Sequence, residues 1–143
     1  MKYSSVRRHA ACLLALSLLA ACASNDGGGN WSSLGEANNG NIRTYIDKSS
    51  IRRNGNLVTF RDKKTVVNPR EERFTNTPPY KTALGNWEFD CRNRTYRLTE
   101  LTLLDNNGQQ VSQQRYSAAD LRPMQIMSGS LTEKQFEAAC GGR

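Results

Sequence analysis

The side chains best suited to chemistry in this 143-residue chain are one histidine, four cysteines and 13 carboxylates. The histidine, His9, lies between a basic start (Lys2, Arg7, Arg8) and an apolar run over residues 10–19, followed by small residues. Basic head, apolar middle and small residues at the end stand in the order of a secretory signal, which is removed from the mature chain. The run falls short of the about 20 apolar residues that a spanning helix needs; an uncleaved amphipathic or core helix is the competing reading. Cleavage would take His9 away, and with it Ser-His-Asp, Cys-His and histidine-based zinc chemistry. A glycosidase-type mechanism would need two carboxylates, and Glu88 and Asp90 come nearest to a pair. They alternate with Trp87, Phe89 and Cys91, so the plainer reading is the solvent face of a half-buried strand. The sequence holds no phosphate loop, dinucleotide fingerprint or metal cluster. No catalytic residue, cofactor or metal is expected.

Leu19-Ala20-Ala21-Cys22 resembles the lipobox of a bacterial lipoprotein. The resemblance implies that residues 1–21 are cut away, that the Cys22 thiol carries a diacylglycerol, and that the new amino group is acylated. Acyl chains on Cys22 would then hold the protein to a membrane. Ala23 stands where inner-membrane lipoproteins often carry Asp, which implies sorting to the outer membrane. Residues 22–30 read as a Gly-rich, mobile tether, reaching about 30 Å at most when extended. Loss of Lys2, Arg7 and Arg8 lowers the formal net charge from +7 to +4. That modest excess suits a solvated surface, or attraction to an anionic partner. Of the cysteines, Cys12 leaves with the signal and Cys22 takes lipid. Cys91 and Cys140 remain, and an even pair in an exported chain reads as a disulfide. On the chain-entropy view it would contribute roughly 4 kcal/mol. The competing reading, a reactive thiol, needs a basic partner to lower its pKa.

The elements that must carry these groups are mostly strands. Residues 31–37 and 42–46 flank Asn38-Asn39-Gly40-Asn41, a turn signal because Asn and Gly accept positive φ. Asp47-Lys48-Ser49-Ser50-Ile51 breaks the alternation and reads as a turn or a single helical turn, with Asp47 able to cap backbone N–H groups. After Asn54-Gly55-Asn56 a third strand covers 57–67; its charged middle, Arg61 to Lys64, suggests a sheet edge or a departure from the core. Residues 68–80 hold three prolines and read as a long loop, either a solvated connector or a contact surface that includes Tyr80. Strands follow at 82–91, 96–104 and 109–116. In the fifth, the apolar phase moves from Tyr96 and Leu98 to Leu101 and Leu103, which requires an extra residue; a β-bulge is expected near Thr99-Glu100. Residues 117–129 read as irregular. Ser130 and Glu133 match a capping box, opening a helix to about Cys140 with Leu131, Phe136, Ala139 and Cys140 on one face. The fold class is α+β, mainly β: a single antiparallel sheet of about six strands, one C-terminal helix packed on a face, and a disulfide tying helix to sheet.

Several of these pieces, in this order, resemble the surface-adhesin protein E family. They are Trp31, Tyr45-Ile46-Asp47-Lys48-Ser49-Ser50-Ile51, the run from Phe89-Asp90-Cys91 through Arg92-Asn93-Arg94-Thr95-Tyr96-Arg97, the 105–108 turn, Gly129-Ser130 with Glu133, and Cys140. The resemblance covers nearly all of residues 31–143 and implies the same sheet-and-helix fold. It departs at Thr59-Phe60, where a Trp is expected, and at Leu121, Pro123 and Ser128-Gly129-Ser130 before the helix. It implies attachment to a host extracellular-matrix protein.

The function expected from the sequence is therefore a non-enzymatic, lipid-anchored envelope protein with an adhesin-like domain over 31–143. Its ligand would be a host protein or acidic glycan, met by a candidate surface of Arg92, Arg94, Arg97 and Tyr80. The basic and aromatic interleaving at 92–97 also suits nucleic-acid stacking, but an outer-membrane location argues against that partner. The alternative is a structural or assembly lipoprotein facing the periplasm. An exposed edge strand leaves a homodimer open.

Overall fold

The computed structural model describes residues 28–141. The signal segment, Cys22 with its lipid, and the tether up to residue 27 lie outside the described residues. Six strands form an antiparallel meander in chain order: β1 (Trp31–Ala37), β2 (Ile42–Asn54), β3 (Leu57–Val66), β4 (Thr82–Asp90), β5 (Thr95–Leu104) and β6 (Gln110–Arg115). A two-residue strand, β7 (Met124–Gln125), pairs with the start of β5, within the 117–129 stretch expected to be irregular. One helix, α1 (Leu131–Cys140), lies across β1, β2 and β3.

Alternation decides what lies under the helix. Ile46, Val58, Phe60 and Phe89 point to the α1 side and form the core with Ala139 and Cys140. Phe60 and Phe89 meet edge to face, their centroids 4.9 Å apart. Cys91, just past β4, is bonded to Cys140 with Cα atoms 5.7 Å apart, so the end of α1 is clamped to the sheet as expected. At the other end of α1 the Ser130 hydroxyl accepts the Glu133 N–H at 3.1 Å. Glu133 reaches back to the Gly129 N–H at 2.8 Å, one residue earlier than a capping box places it.

Two strand readings change. Residues 47–51 do not end β2; the strand runs on to Asn54 through an irregularity between Asp47 and Arg52. Asp47 does accept backbone N–H groups, but within a bulged strand. The charged stretch of β3 is not at an edge either, because β3 lies between β2 and β4. Its charges are tolerated there because each finds a partner. Asp62, 1% exposed beneath α1, accepts from Gln135 Nε2 at 2.7 Å and pairs with Lys64 Nζ at 3.0 Å. Arg61 pairs with the equally buried Asp47. The bulge expected in β5 is present: Asn86 faces Glu100 and Trp87 faces Leu98, which leaves Thr99 as the extra residue.

Candidate functional site

The sheet face opposite α1 carries no helix or strand of the described residues. On its β1–β3 side three strands stack basic and aromatic side chains. Tyr45 on β2 is directly opposite Lys63 on β3, and Trp31 on β1 is opposite Asp47 on β2, two residues along. Lys63 Nζ lies 4.6 Å from the Trp31 ring centroid and 5.6 Å from that of Tyr45; the Arg61 guanidinium lies 5.1 Å from Trp31. A cation over a ring face is held by the ring quadrupole, and the contact strengthens as water is excluded. Beside this stack is a hollow of about 380 Å3 lined by Ser50, Arg52, Thr59, Arg61, Asn86 and Thr99 among others.

One carboxylate organises the stack. Asp47 Oδ1 accepts the backbone N–H of Asn30 at 2.9 Å, the N–H of Ser49 at 3.0 Å and the Ser49 hydroxyl, while Oδ2 pairs with Arg61. Burial alone would raise its pKa. The hydrogen bonds from Ser49 and Arg61, then those from the Asn30 and Ser49 backbone, outweigh burial and hold it at about 2. Arg61 also donates to the Gly28 carbonyl at 2.6 Å, and Lys48 N–H donates to the Asn30 carbonyl at 2.9 Å. Gly28 and Asn30, within the expected tether, are thus bonded to the sheet. Gly29 permits this: a Cβ there would stand 2.7 Å from Asp47 Oδ2.

The four residues expected to form one ligand surface are not brought together. Arg97 is on the uncovered face, paired with Glu88 at 2.9 Å. Its neighbour Tyr96 points the other way, into the core beside Phe89. Arg94 is in the β4–β5 turn with φ of 52°; it pairs with Glu133 at 3.0 Å and stacks on Phe136 at 4.5 Å, so it braces the start of α1. Arg92 is exposed beside the disulfide, on a cleft of about 610 Å3 with Asn56, Phe136 and Gly141. Tyr80 is on the α1 side, packed edge to face on Phe74 at 5.0 Å, and burial raises its pKa. The Glu88/Asp90 pair is divided as well. Glu88 is bound to Arg97, whereas Asp90 accepts the N–H groups of Arg92 and Asn93 in the turn. Trp31 and Tyr45 carry the family resemblance, but neither they nor Lys63 stand out in the sequence as ligand residues, although period-two alternation places 61 and 63 on one face.

These features define a disulfide-clamped, antiparallel-sheet domain with one face left open. The chain belongs to the surface-adhesin protein E family, whose model matches residues 31–141. No curated protein and no solved structure gives a significant match. No helix of the described residues is long and apolar enough to cross a membrane.

Proposed function

We propose that this protein is a lipid-anchored, non-enzymatic adhesin of the bacterial outer membrane that binds a host extracellular-matrix protein or acidic glycan through its uncovered sheet face. The family supports the surface-adhesin role. The observation that favours this face is the Trp31–Lys63–Tyr45 stack, where cations and aromatic rings share a rigid three-strand platform. Aromatic and basic side chains held on rigid backbone make strong interface anchors, because little entropy is lost when they dock. The lipobox-like residues 19–22 support anchoring through Cys22.

Protease shaving of intact cells tests the surface claim. Cleavage within residues 31–141 on unbroken cells is expected. Protection until the outer membrane is opened would instead favour a periplasm-facing assembly role. Loss of membrane association in Cys22→Ser is the matching test of the anchor.

A further inference from the structure

α1 covers only the β1–β3 half of its face. Over β4 and β5 the same face opens into a groove of about 440 Å3, within the range of small-ligand sites. The groove exists because of the β5 bulge. With Thr99 extruded, Leu98 and Leu101 point the same way, and Leu101 and Leu103 continue the apolar strip beside Ala83 and Trp87. Phe74 and Tyr80 from the long loop wall it. Gly85 keeps the floor low: a Cβ there would stand 2.5 Å from Asp62 Oδ1 and 2.7 Å from the Trp87 indole nitrogen.

The charges at the rim are unequal in availability. Asp62 is occupied by Lys64 and Gln135, and Glu72 accepts from Asn38 and Asn41. Arg73 is exposed on the groove and has no ion-pair or hydrogen-bond partner among the described residues. The site thus joins an apolar strip to an available cation. An extended peptide does not fit it by strand addition, because β5 is already paired with β4 and β6 along Leu101 and Leu103. A glycan matches the rim residues Thr75, Thr77 and Tyr80 but not the floor, where hydroxyls over Leu98, Leu101 and Leu103 would lie without partners. A linear acyl chain has polar atoms only at its head.

We propose that this groove binds a long-chain fatty acid, the chain along Leu98, Leu101 and Leu103 and the carboxylate at Arg73. The two tryptophans lie on opposite faces, so Trp31→Phe leaves Trp87 as the reporter. The test uses the full chain carrying Cys22→Ser and Trp31→Phe, titrated with dodecanoate below its micelle-forming concentration. A saturable change in Trp87 fluorescence is expected. Leu101→Phe, which fills the groove with an apolar ring, should weaken it roughly tenfold. Arg73→Gln should weaken it about threefold to fivefold, as for an exposed ion pair, without weakening dodecanol. Retained near-UV circular dichroism confirms that each variant is folded; if Leu101→Phe is not, Leu98→Phe with Arg73→Gln gives the same comparison. No saturable change, equal binding by the groove-filling variant, or equal effects of Arg73→Gln on acid and alcohol would overturn the assignment. A change that scales with protein concentration instead of dodecanoate would also overturn it, in favour of a second copy as occupant.

Discussion

Asp47 offers a quantitative test of how the open face is organised. Asp47→Asn keeps the shape and removes the charge that Arg61 and three N–H or O–H donors meet. The folded-state pKa of about 2 against an ordinary 3.8 corresponds to a contribution of about 2 kcal/mol, at about 1.4 kcal/mol per pKa unit. The folded value is depressed, so the contribution is complete well above pH 3.8 and is lost as pH falls from roughly 5 toward the folded pKa. Urea unfolding with the disulfide intact, followed at pH 7 and again near pH 2.5, reads it out. At pH 7 the variant should unfold at lower urea, by about 2 kcal/mol after extrapolation. Near pH 2.5 the gap should shrink to a minor fraction of that, because the wild-type carboxyl is itself taking up a proton. A gap that is absent at pH 7, or unchanged at acid pH, would refute the reasoning that Asp47 is held as a buried anion.

Three further outcomes are expected. Mass spectrometry of unreduced protein should find Cys91 and Cys140 joined, and replacing both with Ala should lower stability by about 4 kcal/mol, from the entropy of a loop with a sequence separation of 49. Gln135→Leu removes a donor from buried Asp62 and should cost about 1–3 kcal/mol in unfolding free energy; Gln135→Glu, placing two carboxylates together, should cost more. Gly29→Ala should free the segment before β1, seen as faster hydrogen exchange at the Asn30 amide with little effect at Phe89.

Much of the fold was legible because local signals agreed with one another. The Asn38-Asn39-Gly40 turn has all three residues at positive φ, as its residue types favour. The phase change between Leu98 and Leu101 could only be absorbed by an extra residue, and Thr99 is that residue. Ser130 caps α1, and Ala139 and Cys140 of its expected face are buried, joined by Gln135, while Leu131 and Phe136 are half-buried. The rest depended on registers that local sequence does not carry. Counting back from the Asn54–Leu57 turn would place Val66 opposite Tyr45; the bulge between Asp47 and Arg52 moves the register so that Lys63 is there instead. The aromatic–basic stack was hidden by that shift. The charges at 61–64 resembled an edge because their partners, Asp47 and Gln135, are brought in from another strand and from the helix. The Arg92–Arg97 run looked like one patch, yet the turn and the alternation of β5 send its members to different faces.

Adhesion is assigned to the uncovered face. Its most direct test is attachment of intact cells displaying equal amounts of the wild-type protein or Lys63→Glu to immobilised heparin and to immobilised extracellular-matrix proteins. Lys63→Glu reverses a charge between Trp31 and Tyr45 and leaves the core untouched. Wild-type cells should attach to at least one of these supports, and the variant should lose most of that attachment while keeping its melting temperature. Attachment unaffected by the charge reversal would contradict the assignment of function to this face.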